Sequence, residues 1–159
     1  MAKRLRPEAA GDASSARAAA LGLLARRDYF SAELTRKLRE RGFEAQAAAD
    51  ALEALAAERL LDDARTVERF VAYRAGRGQG PLRITLDLKA LGAPAELIGP
   101  ALESGPDWRA LARDVRRRRF GAAAPADWNE RARQARFLQY RGFSSDDIRA
   151  ATGAELELD

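Results

Sequence analysis

The chain has 159 residues, with 28 lysines and arginines against 24 aspartates and glutamates, for a formal net charge of +4. Hydrophobic residues make up 47% of it but aromatic residues only 7%, so we expect a thin core built largely from alanine, which buries little area per residue. The chain contains no cysteine and no histidine, which excludes a disulfide framework, a thiolate metal site and the commonest general base at neutral pH.

The sequence lacks the marks of a membrane or secreted protein. No apolar run approaches the roughly 20 residues that span a bilayer. Residues 1–15 carry basic side chains without the apolar stretch of a secretory signal. We therefore expect a cytoplasmic protein with no membrane partner. Its charged fraction of 33% favours an elongated shape with much surface.

The chain repeats itself at an interval of 50 residues. A leucine followed four positions later by a glycine occurs three times, at Leu38 and Gly42, at Leu88 and Gly92, and at Leu138 and Gly142. The same interval separates three apolar residues further on: Ala48, Ile98 and Ile148. Self-similarity at a fixed period is typical of repeat proteins, so we interpret the chain as three tandem units.

Apolar residues at positions i, i+3 and i+4, as in Trp108, Leu111 and Ala112, predict helices, and no segment shows the alternation of a strand. The predicted helices span 14–27, 31–41, 45–58, 63–76, 81–91, 94–103, 107–119, 127–141 and 145–152. They form three-helix repeats over 14–60, 61–104 and 105–153, between flexible tails at 1–13 and 154–159. One such repeat buries its apolar stripe poorly, so repeats must pack on their neighbours. The sequence predicts an all-α fold, an elongated, curved array of three tandem three-helix repeats.

Residues typical of helix ends support these spans. A side-chain oxygen at a helix start accepts hydrogen bonds from amides that have no partner inside the helix. Six residues are predicted to mark such starts: Ser14, Ser31, Asp63, Asp107, Asp127 and Ser144. Gly42, Gly92 and Gly142 fit the left-handed residue that closes a helix. Phe43 and Phe143, which follow two of these glycines, are expected to fold back on their helices.

Four segments occur in order along the chain: Leu38-Arg-Glu-Arg-Gly-Phe43, Leu60-Leu61-Asp62-Asp63-Ala-Arg65, Arg77-Gly-Gln-Gly80-Pro81-Leu-Arg83-Ile84 and Arg136-Phe137-Leu-Gln-Tyr-Arg141-Gly142-Phe143-Ser144. Together they resemble the RecX family over roughly residues 16 to 152. Arg59 departs from the pattern, because the family usually has glycine there.

The resemblance implies a negative regulator of the bacterial recombinase RecA. Such a protein binds in the groove of the RecA–DNA filament and suppresses ATP hydrolysis and strand exchange. The implied partners are the RecA filament first and DNA second, with no cofactor and no active site. We expect this chain to act as a monomer.

Arginines in the last third of the chain are the main candidates for a binding surface. Residues 107–152 hold eleven arginines against six acidic residues. Arg113, Arg116 and Arg117 fall at helical spacing along one side of a predicted helix. Arg133, Arg136 and Arg141 could extend this stripe. Guanidinium groups bind phosphates and carboxylates, so the stripe is interpreted either as a DNA or partner contact or as the solvated face of an Ala/Arg-rich helix.

Arg83 is a seventh candidate. It lies beside Gly80 and Pro81 in the first turn of a predicted helix, where a cation opposes the helix dipole. This unfavourable placement suggests a contact with a partner. A structural salt bridge to a nearby carboxylate explains it equally well.

Two further pairs of residues have simpler interpretations. Adjacent Asp62 and Asp63 are weak evidence for a metal site without further ligands, and we predict that they cap a helix. Trp108 and Trp128 could stack on bases, but both stand at helix starts among apolar residues. We predict that both tryptophans are mainly buried in packing.

A second function remains open beside the RecA regulator. The chain could be an autonomous helical-repeat nucleic-acid-binding protein, which would bind DNA or RNA without a partner in a strongly salt-dependent way. An enzyme is disfavoured, because the chain has no histidine, no cysteine and no GxxxxGK[ST] phosphate loop.

Overall fold

The computed structural model describes residues 5–153, which contain nine α-helices, one short 3-10 helix and no strand. The 3-10 helix spans Pro7–Ala9. The α-helices are α1 (Ala13–Leu24), α2 (Ser31–Glu40), α3 (Ala45–Ala57), α4 (Asp63–Gly76), α5 (Pro81–Ala90), α6 (Ala95–Glu103), α7 (Trp108–Phe120), α8 (Trp128–Arg141) and α9 (Ser145–Thr152). The predicted all-α class is confirmed. The largest difference in bounds is at the end of α1, which stops three residues before the predicted span.

The predicted repeat boundaries, after residues 60 and 104, stay a prediction, as does the curved shape. Residues 1–4 of the predicted N-terminal tail and the C-terminal tail at 154–159 lie outside the described residues. Within residues 5–12, Leu5 packs against buried residues of the first unit and the carbonyl of Ala10 accepts a hydrogen bond from the Glu44 amide at 2.7 Å.

The chain divides into two compact units. One unit runs up to Val67 and includes Lys89–Leu97, so it contains α1, α2 and α3. These three helices pack on one another around fully buried Leu34, Leu38 and Leu55. Six alanines of α1 and α3 also belong to this core or pack against it, of which all but Ala19 are buried: Ala16, Ala19, Ala20, Ala47, Ala48 and Ala51. The alanine-rich core expected from composition is therefore present in this unit.

The second unit comprises Glu68–Leu88 and the chain from Ile98 onward, with α7, α8 and α9. Here α7 and α8 pack against α9 and against each other. Leu138, Phe143 and Ile148 lie at the centre with almost no exposed surface. Phe143, like Phe43 in the first unit, is buried as predicted.

The three repeated glycines close their helices as predicted. Gly42, Gly92 and Gly142 follow α2, α5 and α8, with φ angles of +101°, +85° and +93°. A residue with a Cβ is strained in this left-handed region, whereas glycine adopts it readily. The 50-residue interval in the sequence therefore reflects one backbone conformation that occurs three times.

Three of the predicted helix starts are confirmed by their hydrogen bonds. The carboxylates of Asp107 and Asp127 accept from the amides three residues later, at 3.1 and 2.8 Å. The hydroxyl of Ser144 accepts from the Asp147 amide at 3.2 Å. Each of these side chains satisfies one of the amides that a helix leaves open at its beginning.

The cap predicted at Ser14 is wrong, because Asp12 caps α1, which begins at Ala13. The Asp12 carboxylate accepts from the amides of Ser14 and Ser15 and from the Ser15 hydroxyl. These bonds favour the charged form and lower the pKa of Asp12, the Ser15 hydroxyl contributing most and the Ser14 amide next. Because one carboxylate accepts from several donors at once, Asp12 rather than Ser14 is the residue that caps the helix.

Ser31 and Asp63 are the first residues of α2 and α4, as the predicted spans have them, but neither side chain caps its own helix. The Ser31 amide donates to Asp63 at 2.9 Å. Asp62 caps α4 by accepting from the Arg65 amide at 3.1 Å. The two aspartates are thus caps, as predicted for the pair, but each serves a different helix. The described residues contain no group of three or more acidic side chains that could hold a metal ion.

Arg59 adopts the left-handed conformation, with φ at +57°, and is the one described residue other than glycine with a positive φ. It stands in the turn between α3 and α4. It is also the position at which the sequence is expected to depart from a family glycine. A residue with a Cβ is strained in this conformation, whereas glycine is not.

We predict that Arg59→Gly stabilises the protein by about 0.5–1 kcal/mol. Glycine removes left-handed strain of about 1–2 kcal/mol, while its greater freedom in the unfolded chain returns about 0.5–1 kcal/mol. Urea unfolding of both proteins measures the difference. Arg59→Ala is the control, since it removes the long side chain but keeps the Cβ. Equal stability of the glycine and alanine variants would contradict strain as the cause.

Candidate functional site

A backbone contact between the start of α5 and the end of α8 organises the second unit. The Gly80 amide donates to the Arg141 carbonyl at 2.8 Å, and the Leu82 amide donates to the Gly142 carbonyl at 2.9 Å. Pro81, between them, has no amide to satisfy. The first amides of α5 and the last carbonyls of α8, which helices leave unpaired, therefore pair with each other. We call this contact the glycine clamp.

The glycine clamp requires glycine on both sides. A Cβ on Gly80 would overlap the backbone of Gly142 and Phe143, and a Cβ on Gly142 would overlap the backbone and Cβ of Arg83. The segments Gly80-Pro81 and Arg141-Gly142, which carry part of the family resemblance, are thus the two halves of one contact. The clamp fixes the backbone of two predicted site residues, Arg83 and Arg141.

The glycine-rich turn before α5 brings a further arginine to the same region. Gly78 has a φ of +78°, and a Cβ there would lie 3.1 Å from a Val115 methyl carbon. Glycine therefore lets the turn approach α7 closely. The Arg141 guanidinium donates to the Arg77 carbonyl at 3.3 Å, so it joins the turn to α8.

The six arginines of the predicted stripe and the separate candidate Arg83 lie at several different places in the second unit. Arg113, Arg116 and Arg117 line a hollow of about 410 Å³, together with Asp114 of α7 and the small residues Ala150 and Ala151 of α9. We call it the mixed-charge hollow. Arg113 also donates to the Ala150 carbonyl at 3.4 Å.

Arg83 and Arg141 line two other hollows. Arg83 borders an apolar hollow of about 350 Å³, which it shares with the exposed side chains of Leu82, Leu86 and Tyr140. Arg141 lines a hollow of about 270 Å³ described below. Arg133 and Arg136 are exposed on α8. Helical spacing therefore grouped arginines that do not share one surface in the folded unit.

Arg116 is one of the arginines predicted to contact a partner, and that role stays a prediction, although the residue is largely buried. Its side chain is only 7% exposed, and its guanidinium donates to the Gln134 side chain at 2.8 Å and to the Ala123 carbonyl. Gln134 in turn donates to Glu130 at 3.0 Å. Arg116 therefore holds α7, the following loop and α8 together.

Arg83 has the salt bridge that was its alternative interpretation. Its guanidinium lies 3.7 Å from the Asp87 carboxylate, which also binds Arg74 at 2.9 Å. The Arg83 side chain stays 46% exposed. The shorter contact to Arg74 means that Asp87 only partly compensates the charge of Arg83.

Arg133 lies over the ring of Phe120, 5.2 Å from its centroid, and 3.1 Å from the Glu130 carboxylate. The hydrogen bonds from Gln134 and then Arg133 favour the charged carboxylate and lower the pKa of Glu130. Glu130 therefore remains ionised beside Arg133 at neutral pH.

The hollow that Arg141 lines contains three arginines that sequence reasoning missed. Its eight lining residues are Gly76, Arg77, Gly78, Val115, Arg118, Arg119, Phe137 and Arg141. Four of them are arginines and none is acidic. We call it the guanidinium hollow. It brings together the turn before α5, the end of α7 and the end of α8.

Aromatic rings support the arginines of the guanidinium hollow. The guanidinium carbons of Arg119 and Arg141 lie 5.9 and 5.2 Å from the centroid of the same Phe137 ring. Arg119 also lies 5.4 Å from the Phe120 ring, which contacts Phe137 edge to face. Contacts of this kind contribute about 0.5–1 kcal/mol each at exposed sites.

A signal for this cluster was present in the sequence. Arg118 and Arg119 belong to the run of four arginines at 116–119, and Arg77 lies inside the glycine-rich turn. Regular helical spacing favours Arg113, Arg116 and Arg117 and does not single out these other arginines. The approach of the turn to α7 is a long-range contact that no local pattern gives.

The two tryptophans differ. Trp108 is partly buried, and its indole nitrogen donates to the Leu102 carbonyl at 3.1 Å, in agreement with a packing role. Trp128 is 76% exposed, so the prediction that it is buried is wrong. Asp127 caps α8 immediately before it, and this start leaves the first side chain of the helix in solvent.

Comparisons with known proteins agree with this architecture. Three family models match in succession: the first, second and third three-helix domains of RecX, at residues 16–55, 62–102 and 107–152. A regulatory protein RecX from Halorhodospira halophila is 51% identical over 94% of both chains, and one from a Pseudomonas fluorescens strain is 48% identical over 83% of this chain and 86% of the relative. The crystal structure of RecX from Lactobacillus salivarius has a TM-score of 0.78 at 22% identity and covers 88% of this chain and 94% of that one.

Fold and comparisons together define a class, proteins built from three tandem three-helix domains. Within that class, the chain belongs to the RecX family. None of the helices in residues 5–153 has the length and apolar character that a membrane span requires.

We predict that Arg116→Met destabilises the protein by about 2–3 kcal/mol, because it leaves the buried Gln134 side-chain oxygen without its donor and removes the hydrogen bond to the Ala123 carbonyl. Arg117→Met is the matched control on the next residue, whose side chain is 66% exposed. It should change the free energy of unfolding by no more than about 0.5 kcal/mol. Urea unfolding measures both, and equal losses would show that Arg116 has no special structural role.

We predict that Gly142→Ala destabilises the protein by about 3 kcal/mol or more, because it adds a backbone clash to left-handed strain. Gly42→Ala is the control at the equivalent position of the first repeat. It has a similar φ but open space around the Cβ position, so its loss should be about 1–2 kcal/mol. If unfolding experiments give the same loss for both variants, the glycine clamp does not contribute to stability.

Proposed function

We propose that the chain is a negative regulator of the bacterial RecA recombinase. In this proposal it binds in the groove of the RecA–DNA filament and inhibits ATP hydrolysis and strand exchange. Membership of the RecX family, with relatives named regulatory protein RecX, is the observation that carries the proposal. It acts in the cytoplasm, where the filament forms.

The arginine-rich second unit supports contact with an anionic partner. The guanidinium hollow and the mixed-charge hollow both present arginines of α7, and each is concave. A filament of protein and DNA offers phosphates and carboxylates, the two groups that guanidinium binds in bidentate fashion. A concave basic surface fits a regulator that covers part of such a filament.

The mixed-charge hollow suits a protein surface better than DNA. Asp114 lies inside it, 3.6 Å from Arg117 and 2.9 Å from Arg118, and its negative charge would repel phosphates. The small side chains of Ala150 and Ala151 let a partner approach closely. We therefore assign Arg113 and Arg117 to the contact with RecA.

A binding role also fits the way acidic side chains are used. Asp62, Asp63 and Asp107 cap helices, while Glu33 and Asp87 bind arginines. Carboxylates committed to such bonds are poor candidates for acid–base chemistry. Regulation by binding requires no active site.

The proposal predicts that the full-length chain inhibits RecA ATPase activity on single-stranded DNA at stoichiometric amounts. The double variant R113Q/R117Q should need about tenfold more protein for half inhibition, since a tenfold change corresponds to about 1.4 kcal/mol and two charged contacts are removed. The matched control is R36Q/R41Q, which removes two charges from exposed positions of the first repeat.

No inhibition by the wild-type chain would refute the proposal. Retained binding of DNA in that case would favour the alternative, an autonomous helical-repeat nucleic-acid-binding protein. Equal losses in the two double variants would show that overall charge, rather than the mixed-charge hollow, contributes to inhibition.

A further inference from the structure

The guanidinium hollow concentrates positive charge, and of its four arginines only Arg118 forms an ion pair within residues 5–153, with Asp114. Its four arginines come from three different segments, and none of its eight lining residues is acidic. Asp114 binds Arg118 from outside the lining set, at 2.9 Å, and the Arg118 side chain remains 74% exposed. Charges of one sign gathered in a concave surface attract a ligand of the opposite sign.

The positions of the arginines indicate which anion fits the guanidinium hollow. Arg119 and Arg141 lie on the same ring of Phe137, so the two guanidinium groups occupy neighbouring places and face one hollow. Arg77 stands at its edge, joined to Arg141 through its carbonyl. Planar donors arranged in this way fit phosphate oxygens, and several adjacent donors fit a chain of phosphates rather than a single one.

The aromatic rings here are not available to nucleic-acid bases. Base recognition on a single strand depends on stacking against open aromatic or guanidinium faces. Phe137 has guanidinium groups of Arg119 and Arg141 against it, and Phe120 has those of Arg119 and Arg133. Recognition in this hollow therefore involves charge and hydrogen bonding without reading the base.

We propose that the guanidinium hollow binds the sugar–phosphate backbone of nucleic acid, independently of sequence, through Arg77, Arg119 and Arg141. In this proposal, Arg141 is the one member of the predicted stripe that makes the contact. The inference deepens the proposed function by naming the DNA contact of the chain, and it relies on that function only for the source of the strand.

The test is the binding of fluorescein-labelled oligothymidylate to the full-length chain, followed by anisotropy over a range of salt concentrations. The variant R119Q/R141Q should bind about tenfold more weakly or worse. The slope of log affinity against log salt should fall by about 1.4, since each phosphate contact on a single strand contributes about 0.7. Oligoadenylate should bind wild-type protein as tightly as oligothymidylate.

The matched control is R36Q/R41Q, which removes two exposed arginines of the first repeat and leaves every residue of the guanidinium hollow unchanged. It should keep both the affinity and the salt slope. Circular dichroism and urea unfolding establish that each variant is folded. Equal losses in the two double variants, a clear preference for one base, or no binding by wild-type protein would overturn the inference.

Competition distinguishes a nucleic-acid backbone from other sources of phosphate. Inorganic phosphate and ATP should displace the oligonucleotide only at far higher concentration, because they offer fewer adjacent phosphates. Displacement by ATP at equal concentration would identify a nucleotide site and overturn the inference. Inhibition of RecA without DNA binding would refute this inference alone, whereas DNA binding through these arginines without inhibition would refute the proposed function alone.

Discussion

The glycine clamp is the interaction on which the second unit depends. Two backbone hydrogen bonds join the start of α5 to the end of α8, at a distance that only residues without a Cβ permit. These bonds satisfy groups that both helices would otherwise leave open. The glycine-rich turn precedes the clamp directly, so its contact with α7 and the position of Arg77 follow from it. The guanidinium hollow thus has its origin in a purely backbone contact.

Much of the fold could be predicted, because its signals are local. Helical spacing and the glycines at positions 42, 92 and 142 predicted the nine α-helices found in residues 5–153, with bounds within three residues. The errors occurred where two residues competed for one role. Asp12 caps α1 in place of Ser14, and Asp62 caps α4 while Asp63 serves α2. Which oxygen reaches which amide depends on the path of the chain before the helix, and this path is not a local property.

For the candidate site, the sequence predicted the part of the chain that contains it but not which arginines lie together. Counting arginines identified the last third of the chain, where α7 and α8 hold most of them. Helical spacing groups residues by face but does not tell which face meets the core, so Arg116 was grouped with Arg113 and Arg117 although it is buried. Arg77 is separated from Arg141 by most of the second unit in sequence, and only folding brings them together.

The contact of arginines with phenylalanine rings has a consequence for the affinity with which the guanidinium hollow binds a ligand. A free arginine side chain samples many rotamers, and immobilising it on binding loses about 0.5–1.5 kcal/mol of conformational entropy. Arg119 and Arg141 are already held against Phe137 before any ligand arrives. Most of that loss has therefore occurred during folding. Each contact with a ligand therefore contributes more to affinity at this surface than at a surface whose side chains lose their conformational entropy on binding.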